Sequence, residues 1–104
     1  VIHTVGPVYR DGRSGEPEEL RSCYENSLRL ALEHKLATLA FPAISCGVYG
    51  YPIHEAAEIS LSTTAGLLSS HEQLKLVVFV LFGDGDLAVY RDVAGRLAGA
   101  AKSC

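Results

Sequence analysis

The sequence predicts an α/β fold, an open parallel sheet with helices packed on its faces. Three observations lead there. Apolar runs of strand length alternate with helical periodicity in the order β-α-β-α-β-α, two of the runs are too continuously apolar for a strand with one wet face, and glycine or proline follows each strand. Right-handed crossovers make the sheet parallel, and ligands of such sheets bind outside the carboxyl ends of the strands.

The elements follow in chain order. Val1-Ile-His-Thr-Val5 is β-branched and short and breaks at Gly6-Pro7, which predicts a first strand and then a polar loop through Gly15. His3 within that strand reads as a hydrogen-bonded structural histidine. Pro17 opens a helix, with Glu16, Glu18 and Glu19 favourably placed for its dipole. Leu20, Cys23, Tyr24, Ser27, Leu28 and Ala31 recur on one helical face, so Cys23 is a small core residue, and His34-Lys35 suits the helix end.

Leu36 to Phe41 is a nearly continuous apolar run, predicted as a strand covered on both faces, and Pro42 ends it. The next helix runs from about Pro52 to Leu68, with Ile53, Ala56, Ala57, Ser60, Leu61, Thr64, Ala65 and Leu68 as a stripe of mostly small side chains. His54, Glu55 and Glu58 read as its solvated face. Leu74 to Phe82 is the strongest strand in the chain, and its Val77-to-Phe82 stretch is too apolar for a half-exposed position. Asp86 is the predicted N-cap of a last helix with Tyr90, Val93, Ala94, Leu97 and Ala101 inside.

The segment between the second strand and second helix, Phe41-Pro-Ala-Ile-Ser-Cys-Gly-Val-Tyr-Gly-Tyr-Pro52, carries the chemistry. Gly47 and Gly50 permit positive φ or close backbone approach, and Pro52 suits a first helical turn. Strand, glycine loop and helix N-terminus in this order gather backbone N–H groups around one point at the positive end of a helix dipole, an arrangement that binds anions and most often phosphate. At this level the loop is either such a site or an ordinary tight β-to-α connection.

Composition limits the functions. Nine Lys and Arg against twelve Asp and Glu leave a net charge of -3, which argues against generic nucleic-acid binding by counterion release. No apolar run reaches the roughly 18 to 20 residues of a membrane helix. Cys23, Cys46 and Cys104 are an odd number without metal-type spacing and fit a reducing, cytoplasmic setting. The 104 residues amount to one domain or less; with no methionine and a strand-like beginning, they read as a fragment whose natural start lies upstream.

Val1-Ile-His-Thr-Val-Gly-Pro7, Cys23-Tyr-Glu-Asn-Ser-Leu28, the Phe41-to-Pro52 segment and the Val77-to-Phe82 strand together resemble the macrodomain family, particularly its branch of ADP-ribosyl hydrolases. The resemblance implies a three-layer α/β/α sandwich of which residues 1–104 are the C-terminal part. It implies binding of ADP-ribose or O-acetyl-ADP-ribose, and of mono-ADP-ribosylated proteins, with no cofactor and no metal. By position, Ser45, Cys46, Gly47, Val48 and Tyr49 wrap the diphosphate, with the Tyr49 ring beside the distal ribose, and Phe82 stacks on adenine.

The sequence departs from the family in two places. Members commonly carry threonine where Cys46 stands. The family's N-terminal part, with an adenine-recognising aspartate, an asparagine-containing strand end and a second glycine-rich loop, has no counterpart in these residues. The resemblance implies that the complete domain hydrolyses ADP-ribosyl esters; no residue here is an evident general base, so this chain alone is expected to bind poorly and turn over negligibly. The alternatives are a reader that binds ADP-ribose without turnover and a thiol enzyme using Cys46, whose pKa a helix N-terminus would lower.

Overall fold

A computed structural model describes residues 2–46, 49–81 and 83–103, with the side chains of 98–103 excepted. Its elements are α1 (Glu16–Glu33), β1 (Thr38–Phe41), α2 (Ile53–Ser70), β2 (Leu76–Phe79) and α3 (Asp84–Ser103). β1 and β2 pair in parallel with Thr38 opposite Leu76 and Phe41 opposite Phe79.

The helices bury the stripes read from their periodicity. In α1, Leu20, Cys23, Tyr24, Ser27, Leu28 and Ala31 are all buried, and the helix ends at His34 with Lys35 at φ 57°. In α2 the small residues Ala56, Ala57, Ser60 and Thr64 are buried, which lets the helix approach its neighbours closely, whereas Ala65 is exposed. In α3, which begins at Asp84, two residues ahead of the expected cap, Tyr90 and Val93 are buried and Ala94 faces out. Tyr24, Phe41, Phe79 and Tyr90 form a chain of ring contacts at 4.8 to 5.9 Å that joins α1, the sheet and α3.

The sheet departs from expectation in two ways. Leu39, Phe41, Val77 and Phe79 all point toward the three helices, so the helices share one face of the sheet. On the other face Leu76 is 53%, Val78 43% and Val80 63% exposed, and Thr38 and Ala40 are exposed beside them. The expectation that both strands are covered on two sides is therefore corrected: apolar composition specified burial that only a second layer can provide. Second, no ladder forms at Ile2–Val5, and Val5 is 81% exposed. A strand requires a hydrogen-bonded neighbour, and none of the described residues supplies one. His3 is correspondingly exposed and makes no hydrogen bond among the described residues, contrary to its reading as a satisfied structural histidine.

The loop before α1 is organised by one carboxylate. Glu16 Oε2 accepts the N–H groups of Arg10, Asp11 and Gly12 at 2.9 to 3.0 Å, and Oε1 accepts that of Ser14 at 2.7 Å. Gly15, at φ 87°, turns the chain so that this side chain, 3% exposed, reaches back over the loop. Bonding from Arg10 N–H, reinforced by Gly12 and Asp11 against the opposing effect of burial, holds the carboxyl down to about 2. Because the folded-state pKa lies below the ordinary carboxylate value, the stabilisation is complete above about pH 4.5 and is lost as pH falls toward 2. The expected result is a thermal midpoint that falls across that window for the natural chain and falls less for Glu16→Gln. Identical pH profiles would refute the assignment.

Candidate functional site

Parallel pairing puts the carboxyl ends of β1 and β2 side by side, so the loop after Phe41 and the chain after Phe79 leave the sheet from the same edge. The loop from Pro42 to Pro52 is a tied structure. Cys46 N–H donates to Ala43 O at 3.3 Å, Tyr51 N–H donates to Ser45 O at 2.8 Å, and Tyr9 N–H donates to Tyr49 O at 2.9 Å. Ser45 takes φ 66° and Gly50 φ 73°, two left-handed kinks that bracket the segment. Tyr51, 3% exposed, packs edge-on against Tyr9 with ring centroids 5.0 Å apart and fixes the loop's outgoing end.

Beyond the loop, α2 begins with Pro52 in the cap position and no side chain caps it. Its first-turn N–H groups therefore keep the unpaired donors of a helix start, next to the tied loop. Ser45 Oγ is buried without a hydrogen-bond partner among the described residues. Gly6 lies directly behind it: a Cβ there would collide with Ser45 Oγ and come within 2.5 Å of Ile44 Cγ2. Unpaired N–H donors at the uncapped start of a helix are suited to an anion.

Of the predicted site residues, Ser45, Cys46 and Tyr49 are brought together in this loop, with Tyr49 39% exposed at its rim. Gly47, Val48 and Phe82 lie outside the described residues. Residues that sequence reasoning read only as turn or helix-dipole elements contribute to the setting: Gly6 behind Ser45, Tyr9 against Tyr51, and the Glu16 carboxylate holding the loop from Arg10. Nothing in the local pattern distinguishes Gly6 from a strand-ending glycine, because its crowding comes from residues 38 and 39 positions away.

Cys46 is half-buried and its thiol is pushed up to about 11, first by burial and then by the Asp86 carboxylate. The lowered pKa that a thiol enzyme needs is the opposite of this. At pH 7 only about one thiol in ten thousand would be ionised, from a four-unit gap. Iodoacetamide labelling of Cys46 at pH 7 is expected to run well below the rate of a free cysteine, followed by mass spectrometry of the peptide. Labelling as fast as free cysteine would restore the thiol reading. His54, Glu55 and Glu58 are exposed as expected, with Arg96 Nη2 donating to Glu58 at 2.9 Å. Among the described residues no three His, Cys, Asp or Glu side chains are gathered as metal ligands, and no helix is long and apolar enough to cross a membrane.

Comparison with known proteins identifies the family. Residues 1–60 match the family model described as the Macro domain. A macro domain-containing protein of Chlorobaculum tepidum is 52% identical over 91 residues, 88% of this chain and 53% of that protein. A Klebsiella pneumoniae protein named O-acetyl-ADP-ribose deacetylase is 48% identical over 91 residues, 88% of this chain and 52% of its own length. The solved Oceanobacillus iheyensis macrodomain with ADP superposes with a TM-score of 0.89 at 42% identity, over 94% of this chain and 51% of that one. A Trypanosoma brucei macrodomain in complex with ADP-ribose superposes at 0.78 with 38% identity, over 86% and 37%. The chain thus spans about half the length of the curated relatives it matches, and with more than half its residues matched by the family model it belongs to the macro domain family.

Proposed function

We propose that this chain supplies the diphosphate-cradling half of a macrodomain that binds ADP-ribose and, in the complete domain, hydrolyses ADP-ribosyl esters such as O-acetyl-ADP-ribose or ADP-ribose on acidic side chains. The observation that carries the reading is the tied loop between the end of β1 and the uncapped start of α2, kinked at Ser45 and Gly50. The names of the relatives support the substrate class: a deacetylase of O-acetyl-ADP-ribose at 48% identity, and macrodomains solved with ADP and ADP-ribose.

In this reading the amides of residues 45–49 hold the diphosphate. Charge-assisted hydrogen bonds contribute roughly 1.5 to 3 kcal/mol each, so several together exceed the ~1 to 3 kcal/mol of one stacked base on Phe82. The same donors offset negative charge that develops during ester cleavage. Neither the loop nor its packed floor offers a base: the Cys46 thiol is held protonated, and burial raises the Tyr24 and Tyr90 hydroxyls above their ordinary values. The attacking water is then oriented by the bound diphosphate together with the remainder of the domain. Free thiols at Cys23 and Cys46 agree with a cytoplasmic setting.

The test is a chimeric domain in which this chain replaces the matching half of the Oceanobacillus iheyensis macrodomain. ADP-ribose is expected to bind at least ~10-fold tighter than AMP by calorimetry, the value of one additional charge-assisted bond. Equal affinities, or unchanged affinity in Gly47→Glu, which sets a carboxylate against the diphosphate, would remove the loop assignment. Acetate release from O-acetyl-ADP-ribose distinguishes a hydrolase from a reader: tight binding without release assigns the reader.

A further inference from the structure

A cleft of about 330 Å³ lies between the loop before α1 and the first two turns of α2, with Tyr9, Asp11, Arg13, Tyr51, Glu55 and Glu58 in its lining. At the small end of the ~300 to 1,000 Å³ of ligand pockets, it suits one long side chain. The backbone joins it to the candidate site. Tyr9 N–H donates to Tyr49 O, and Tyr49 and Tyr51 are two residues apart, at most about 7 Å of chain. A group that extends past Tyr49 from the loop therefore meets this cleft next.

Its walls are aromatic and anionic. Tyr9 and Tyr51 stand edge to face. Tyr51 is 3% exposed, yet its hydroxyl makes no hydrogen bond among the described residues and, unlike that of Tyr24, is not sealed inside the core, so it opens into the cleft. Glu55 makes no ion pair or hydrogen bond among the described residues. Asp11 Oδ1 accepts Arg13 N–H at 2.8 Å and the Ser14 hydroxyl at 3.1 Å, which leaves Oδ2 open. Glu58 is engaged by Arg96 at 2.9 Å. Arg13 is the one cation in the lining. The excess of negative charge is felt at both hydroxyls: burial first, then the Glu55 and Glu16 carboxylates, raises Tyr9 above its ordinary value and pushes Tyr51 up to about 12.

Such a cleft repels phosphate, so it is no extension of an anion site. A cation gains there the Asp11 and Glu55 carboxylates, the Tyr51 hydroxyl as acceptor and the tyrosine rings. We propose that the cleft receives a lysine or arginine side chain of the protein that carries the ADP-ribose, so that the domain favours modified acidic residues with basic neighbours. The inference rests on the diphosphate assignment above and adds to it the class of protein substrate.

The test uses the chimeric domain and two peptides that carry ADP-ribose through an uncleavable linkage, one with arginines on both sides of the modified residue and one with serines there. The arginine peptide is expected to bind about 3- to 10-fold tighter at low salt, the value of two exposed ion pairs, and to lose that preference as salt rises. In Asp11→Asn/Glu55→Gln the preference is expected to vanish while free ADP-ribose binds as in the parent; the asparagine keeps the acceptor for Arg13 N–H. Glu33→Gln/Glu72→Gln removes the same charge from the exposed C-terminal ends of α1 and α2 and is expected to keep the preference. Equal binding of the two peptides by the parent overturns the proposal. So does a preference that survives in Asp11→Asn/Glu55→Gln, or one that Glu33→Gln/Glu72→Gln abolishes equally, since the overall field then accounts for it. A chimera that binds no ADP-ribose at all overturns the diphosphate assignment and this role of the cleft with it, whereas ADP-ribose binding without peptide preference overturns the cleft alone.

Discussion

Gly6→Ala in the chimeric domain is expected to weaken ADP-ribose binding about 10- to 100-fold, equivalent to ~1.4 to 2.8 kcal/mol and within the range that overpacking costs. The new methyl would overlap Ser45 Oγ and press on Ile44 Cγ2. Neither neighbour can yield cheaply: Ile44 is a buried core residue, and Ser45 is short, buried at its oxygen and already at φ 66°. The strain therefore passes into the loop whose amides hold the ligand, and Tyr51 N–H to Ser45 O is the bond most directly displaced. Calorimetry with ADP-ribose checks the affinity, and AMP serves as the comparison, since a ligand that lacks the diphosphate is expected to lose less. Gly66→Ala in α2 is the control: no heavy atom lies within 4 Å of its added Cβ, and it is expected to leave affinity unchanged. Equal affinity of Gly6→Ala and the parent domain would show that the loop does not hold the ligand in this geometry.

The second large effect is on stability. Tyr24→Ala is expected to cost about 3 to 5 kcal/mol, because it leaves a large cavity in a packed core. The side chain is fully buried, with ring centroids 4.8 Å from Phe41 and 6.1 Å from Phe79, so it links α1 to both strands. Its hydroxyl adds little: it lies near the Tyr90 hydroxyl and Ile44 N–H without an aligned bond to either. Tyr24→Phe is accordingly expected within ~1 kcal/mol of the parent, since removing an unpaired buried hydroxyl also removes its desolvation cost. Urea unfolding midpoints separate the two. A Tyr24→Phe variant as unstable as Tyr24→Ala would mean that the hydroxyl, not the ring, holds this part of the core.

How much of the chain is legible in its residues follows from the range of the forces involved. The buried face of α1 was readable from Leu20 to Ala31 because helical periodicity is set by residues three and four apart, and the face that is apolar is the face that packs. The passage from β1 to α2 was readable in part for the same local reason, since proline restricts its own backbone and glycine permits the positive φ found at Gly50, whereas the positive φ at Ser45 was not readable. The resemblance across four ordered blocks supplied the family, and the chain's match to the Macro domain agrees with it.

What only the tertiary structure decided involves residues distant in sequence. Cys46 looked open to activation at a helix N-terminus, but burial and Asp86 raise its pKa instead, and Asp86 stands 40 positions away. Gly6 is crowded by Ile44 and Ser45 only because the fold brings them together. The apolar character of the Leu74-to-Phe82 run truly recorded a need for burial, yet which face is covered depends on where three helices sit, and all three lie against Phe41 and Phe79. Val1 to Val5 carries strand-forming side chains, but a strand is a relation between two segments. Composition by itself fixes the preference for extended chain, and only a neighbour's backbone can turn that preference into a sheet.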